Sequence, residues 1–166
     1  MTAVPNLRPA ADGDGHAIAV LLREAALWLR EEGQPLWNPE DFTTKKIEGE
    51  LPNWRVAAFA GEIFGAFKLE EADPFFWPDF PKGEALFLHK LVVKRSQART
   101  HLSTAMLEFA VAETRRRHKA WLRLDCDATR PKLRAVYERF GFRHHSDQKL
   151  GSYTAARYEY RVSPSP

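Results

Sequence analysis

Cysteine is almost missing from this chain: Cys126 is the only one among 166 residues. A lone thiol excludes an internal disulfide framework and suits a reducing compartment, so a cytoplasmic location is expected. No apolar run is long enough to cross a bilayer, and the longest helical patterns carry charges throughout, which argues against a membrane partner. Met1 to Pro9 lacks the basic-then-apolar design of a secretory signal. Internal repeats, low-complexity tracts and linker-like shifts of composition are absent as well. A single domain over residues 1–162 is expected, followed by a disordered tail at 163–166, Ser163-Pro164-Ser165-Pro166. Metal-ligand spacing is missing too. His144-His145 is a bare pair whose members, on a strand, point to opposite faces, so no metal is expected.

Charge of one sign is not in large excess. A net charge of +3 mildly favours anionic partners but falls far short of a nucleic-acid signature. The one dense basic run, Arg115-Arg116-Arg117-His118-Lys119, closes a predicted helix, where cations complement the carbonyl end of the dipole. No aromatics interleave with it, as single-strand binding would require. What is present is ordinary for a soluble globular protein: 44% hydrophobic and 28% charged residues.

Periodicity divides the chain into elements. Val4 to Arg8 is a candidate first strand. Asp12 or Asp14 can cap a helix carrying Ile18, Leu21, Leu22, Ala25 and Leu29 at helical spacing, ended by Gly33 and Pro35. Asn38-Pro39 opens a second helix to about Glu50. Trp54 to Ala60 and Ile63 to Leu69 are short strands joined by a Gly61-Glu62 hairpin signal. Residues 73–81 form a proline- and aromatic-rich loop, and Glu84 to Lys94 is a buried strand with Phe87, His89, Leu91 and Val93 on one face. A helix from about Thr100 to Arg117 sets Leu102, Met106, Phe109, Ala110 and Ala112 toward the core. Trp121 to Cys126 is the next strand, Pro131 to Phe140 a helix stopped by Gly141, and Phe142 to His145 and Tyr153 to Val162 the last strands. The order is that of an α/β protein with a mixed sheet and an antiparallel front half.

Three segments, in order, carry a resemblance: Leu88-His89-Lys90-Leu91-Val92-Val93 before a helix, Leu122-Arg123-Leu124-Asp125-Cys126, and Leu133-Arg134-Ala135-Val136-Tyr137-Glu138-Arg139-Phe140-Gly141-Phe142. They resemble successive motifs of the GNAT N-acetyltransferase superfamily, over nearly the whole chain. The resemblance implies an α/β fold with a mostly antiparallel sheet of about seven strands, flanked by four helices and splayed between strands 4 and 5.

It also implies acetyl-CoA as cosubstrate. The pantetheine arm would pair with the backbone of Leu91, Val92 and Val93. The diphosphate would sit on the start of the following helix, among Ala98, Arg99, Thr100, His101, Leu102, Ser103 and Thr104, where unpaired N–H groups meet an anion. Arg130, Leu133 and Tyr137 complete the implied cofactor contacts. The family pattern at the helix start is Arg or Gln, two variable residues, Gly, one variable residue, then Gly or Ala. Ala98, His101 and Ser103 stand there; a shift of one gives Gln97, Thr100 and Leu102. Two readings follow. Either hydroxyls of Thr100, Ser103 and Thr104 add donors while Arg95 or Arg99 screens phosphate, or His101 and Leu102 crowd the site and the fold serves another purpose.

Tyr137 falls where the family places the acid that protonates the departing thiolate. Arg130 replaces the family's usual asparagine. The family's acidic base position corresponds to Phe87, which cannot serve; His89, two residues on, has a suitable intrinsic pKa, and a hydrogen-bonded core histidine is its alternative. Asp125 ends a strand, a common place for functional side chains in open sheets. Trp28 and Trp37, with Phe75, Phe76 and Trp77, supply aromatics for an acceptor wall or for packing. Trp28, Trp37, His89 and Asp125 are the candidate substrate contacts, and Cys126 is read as a buried apolar residue. The expected function is acetyl transfer to a primary amine of a small molecule by direct attack. A catalytically silent binding protein of the same fold is the alternative, and a homodimer formed through the aromatic loops is a third reading.

Overall fold

Among the described residues, four α-helices and seven strands follow the changes of hydrophobic period along the chain. The computed structural model describes residues 3–80 and 82–164, so Ser165 and Pro166 of the expected tail lie outside the described residues. In chain order the elements are β1 (Asn6–Pro9), α1 (Gly15–Glu31), α2 (Thr44–Gly49), β2 (Trp54–Phe59), β3 (Glu62–Glu70), β4 (Ala85–Val93), α3 (Leu102–Arg116), β5 (Trp121–Asp127), α4 (Pro131–Phe140), β6 (Arg143–Leu150) and β7 (Tyr153–Arg161). The strands form one sheet in the order β1-β2-β3-β4-β5-β7-β6. Strands β4 and β5 run parallel, while β1–β2, β2–β3, β5–β7 and β6–β7 are antiparallel. The β4–β5 ladder pairs Ala85, Leu86 and Phe87 with Trp121, Leu122 and Arg123.

The chain clusters into two compact units, Met1–Lys68 with Lys90–Leu107, and Leu69–His89 with Glu108–Pro166. In the first, α1 buries Gly15, Ile18, Ala19, Leu21, Leu22 and Ala26, a stripe at the three-and-four spacing of a helix face. With Phe42, Ile47, Leu51, Trp54, Val56, Ala66 and Val92 these residues make one core. Each fully buried Leu or Ile there contributes about 1.5–3 kcal/mol.

Asp14 does precede α1, but its side chain does not cap it. Its carboxylate pairs with Arg8 at 2.6 Å and accepts from the Ala11 amide, and the Arg8 guanidinium holds it below the usual carboxylate range. The orphan Gly15 amide instead donates to Glu48 of α2 at 3.0 Å. A Cβ at Gly15 would lie 2.5 Å from that carboxylate oxygen, so glycine is what lets Glu48 reach the helix end.

The second helix is shorter than its pattern suggests. Asn38 and Pro39 start only a single 3-10 turn, Pro39–Asp41. Thr43 then turns extended and caps α2, accepting from the Lys46 amide at 3.1 Å. Two polar caps five residues apart split the segment. The β2–β3 turn sits one residue earlier than expected: Ala60 and Gly61 both have positive φ, 48° and 83°, which two-residue hairpin turns require.

In the second unit, Trp77 is buried with Ala85 and Phe87, so this member of the aromatic loop is packing. The Arg123 guanidinium, buried, pairs with Glu84 at 2.7 Å and Glu159 at 3.3 Å. Gly141 ends α4 at φ 123°, a conformation that L side chains rarely adopt. Helix α3 begins at Leu102 rather than Thr100. Its exposed Ala112 departs from the expected core set, in which buried Leu107 and Val111 take part instead.

Candidate active site

The expected cofactor loop lies wholly in the first unit. Lys90, inside β4, has φ 56°. A left-handed residue breaks the two-residue alternation of a strand and takes the adjoining peptides out of ladder geometry. His89 and Leu91 therefore do not continue one uninterrupted face, contrary to the simple alternation. Beyond Val93 the backbone makes a 3-10 turn, Arg95–Gln97, with Ala98 donating to Arg95 and Thr100 to Gln97 through their amides. Arg99 takes φ 64°, so an arginine holds a conformation that a glycine would adopt without strain.

Thr100 organises the start of α3. Its hydroxyl donates to the Gln97 carbonyl at 2.7 Å and accepts from the Leu102 amide at 3.3 Å. The amides of Ser103 and Thr104 belong to a first turn, which offers no carbonyl four residues earlier within the helix. Ser103 is half-buried and Thr104 exposed; His101 is exposed and Leu102 buried. Of the two side chains expected to crowd the helix mouth, the histidine stands in solvent. Arg95 stacks on Trp28 with its Cζ 3.5 Å from the ring centroid, and Arg99 is exposed. Trp37 packs edge-on to Phe42, with the Lys90 ammonium 5.1 Å from the Trp37 centroid.

The second unit holds the other candidates. Tyr137 on α4 is buried, with its ring against Phe142 and Tyr158. Burial, then the negative charge of neighbouring groups at Cys126 and Asp125, pushes its phenol well above the ordinary value. At neutral pH it is a proton donor only. Cys126 is pushed up to about 12, first by burial and then by Asp125. It is a thiol without nucleophilic character, in keeping with the apolar role expected of it. Arg130 precedes α4 without capping it; its Nε donates to Asp127 at 3.3 Å, and Asp127 also holds the Thr129 amide and hydroxyl. Leu133 is half-buried one turn before Tyr137.

His89 closes the part of β4 that belongs to this unit. Its Nε2 lies 3.5 Å from Glu70 and 3.8 Å from Asp73. Ligand atoms of Asp73, His89 and Asp125 fall within 4.8 Å of one another. Glu70 and Asp73 escaped sequence reasoning. Asp73-Pro74 carries a turn signal, and Asp73 does accept the Phe75 and Phe76 amides, but nothing in the local pattern says that the loop returns to His89. Phe75 is exposed and Phe76 half-buried; the expected aromatic wall reduces to these two on this unit.

The sequence profile of the Acetyltransferase (GNAT) family matches residues 22–142, and the chain belongs to that family. It is 30% identical over 142 residues to the uncharacterized N-acetyltransferase YesJ of Bacillus subtilis (strain 168), covering 81% of this chain and 79% of YesJ. Among solved structures it resembles a GNAT-family acetyltransferase from Listeria monocytogenes 4b F2365, with TM-score 0.79, 26% identity and coverage of 98% and 99% of the two chains. The fold is also that of yncA, a putative acetyltransferase from Salmonella typhimurium solved with its cofactor acetyl-CoA (TM-score 0.73, 15% identity, coverage 98% and 96%). Among the described residues no helix is long and apolar enough to cross a membrane.

Proposed function

We propose that this protein is an N-acetyltransferase that moves an acetyl group from acetyl-CoA to a primary amine of a small molecule by direct attack. The observation that carries the reading is Tyr137: a buried phenol, held protonated by its surroundings, at the position where the family motif calls for an acid.

Acetyl-CoA supplies an activated thioester whose carbon–sulfur bond breaks as the carbon–nitrogen bond forms. Tyr137 gives its proton to the departing sulfur, and His89, or a water, takes the proton that the amine loses. Backbone N–H groups from Leu91 onward, freed from regular alternation by Lys90, polarise the thioester carbonyl. Ser103 and Thr104 amides suit the diphosphate, because an anion at a helix start needs donors and positive potential rather than any particular side chain. Leu91, Val92 and Val93 would pair with the pantetheine, with Ala98 to Leu102, Arg130 and Leu133 framing the rest. Trp28, Trp37, His89 and Asp125 remain the proposed acceptor contacts. A free buried Cys126 suits work in the reducing cytoplasm.

A second reading rests on the same loop. Thr100 occupies the Leu102 amide, and Ala98, His101 and Ser103 stand where the family keeps Arg or Gln and two small residues. That combination would suit a silent fold. Restoring the small residues with His101→Gly and Ser103→Gly discriminates. Tighter coenzyme A binding in the double variant supports a weakened but working site; no change removes the crowding argument. Turnover of acetyl-CoA with a panel of small amines, lost in Tyr137→Phe, tests the enzyme directly. No turnover with any amine by a protein that binds the cofactor would favour the silent fold.

A further inference from the structure

Asp73 carries more information than its place in a loop suggests. Its side chain is 5% exposed. One oxygen, Oδ1, is fixed by the amides of Phe75 at 3.2 Å and Phe76 at 2.9 Å. The other, Oδ2, is buried and has no hydrogen-bond partner. A buried carboxylate oxygen without a hydrogen bond carries a desolvation cost. It faces Nε2 of His89 at 3.8 Å, beyond hydrogen-bond length.

We propose that Asp73, His89 and Asp125 form a binding site for a divalent transition-metal ion of the zinc type. Their ligand atoms lie within 4.8 Å of one another. A zinc ion with tetrahedral ligands at about 2.0–2.1 Å sets them about 3.3–3.4 Å apart. Asp73 and His89, 3.8 Å apart, stand near that spacing, and the whole set, spread over as much as 4.8 Å, closes on an ion by drawing in by up to about 1.5 Å. Glu70 Oε2, 3.5 Å from His89 Nε2, supplies a further oxygen.

The donor set selects the ion. One imidazole nitrogen among carboxylates suits zinc and its neighbours, whereas magnesium and calcium take oxygen ligands and keep more of them. The two amides on Oδ1 give Asp73 the outer support by which ligating carboxylates are oriented. Sequence inspection could not find the site, since its members come from a loop and two strands at positions 73, 89 and 125.

The site stands on the geometry of the second unit alone and not on the acetyltransferase reading. A bound ion would take the Nε2 lone pair of His89, and in that state water is the base of the proposed acetyl transfer.

The test is calorimetric titration of the chelator-treated full-length protein with zinc chloride alone. A single saturable event per chain at micromolar or lower concentration is expected. Asp73→Asn and Asp125→Asn should each weaken it by roughly tenfold or more. The double variant His144→Ala/His145→Ala, which removes the exposed histidine pair, should leave it intact. Asparagine at position 73 keeps an acceptor for the two loop amides, and an unchanged melting midpoint verifies folding; if that variant fails to fold, Asp125→Asn decides alone. No saturable event, one that survives both asparagine variants, or one abolished by the double alanine variant overturns the site.

Discussion

At the scale of single residues, burial raises the phenol of Tyr137 and the thiol of Cys126 above their ordinary values, so both keep their protons at neutral pH. The buried setting of Tyr137 keeps its proton on, which is what the proposed acid requires. Tyr137→Phe should lower kcat by about 10²–10⁴-fold while leaving the acetyl-CoA dissociation constant unchanged; steady-state kinetics beside equilibrium binding checks both halves. Cys126 should resist iodoacetamide in the native protein at pH about 8 and react once the chain is unfolded, because the thiolate is the nucleophile. Its thiol rises from 9.0 to about 12 on folding. The folded state therefore holds the proton more tightly than the unfolded one. The contribution of this thiol to stability is fully present below pH about 9.0 and is lost as pH climbs from there toward about 12. Burial raises Tyr137 and Tyr153 in the same direction. Melting temperatures measured between pH about 8 and about 10.5 should decline, and Cys126→Ala should make the decline shallower. The place of Tyr137 on a helix was legible because a motif of ten residues surrounds it. Asp73 was not: its meaning comes from a neighbour sixteen residues on, brought close by the path of a loop.

Elements were legible where one signal dominated and misread where two competed. Helix α4 runs between Pro131 and Phe140 as its proline start and glycine stop require. Asn38 announced a helix, but Thr43 offered a rival cap, and the segment broke between them. Asp14 had the right position for capping α1, yet Arg8 claimed its carboxylate; a charge partner from a different element is invisible to a local pattern. Glu48 provides the replacement through its bond to the Gly15 amide. Glu48→Ala should cost about 1 kcal/mol of unfolding free energy, read from a urea titration. Gly65 in β3 serves another purpose, since a Cβ there would lie 2.7 Å from Met106 Sδ and 3.3 Å from the Val92 carbonyl oxygen. Gly65→Ala should destabilise by about 1–3 kcal/mol through overpacking, and a companion Met106→Ala should recover part of the loss if the sulfur is the obstacle.

For the whole molecule, alternation and helical spacing supported an α/β class, but they could not order the strands. The sheet order β1-β2-β3-β4-β5-β7-β6 rests on pairings far apart in sequence, which local periodicity does not encode; the family resemblance implied a mostly antiparallel sheet of about seven strands but not their order. The loop before α3 departs from the family pattern, and the proposed cofactor binding has to tolerate that. Helix α3 presents first-turn amides whatever residues precede it, and Arg99 accepts a left-handed backbone where glycine would be easier. The account therefore depends on backbone donors standing in for missing glycines. Calorimetric titration of the full chain with acetyl-CoA measures this most directly. Saturable binding of one molecule per chain in the micromolar range is the predicted result. A flat titration up to millimolar acetyl-CoA would contradict it.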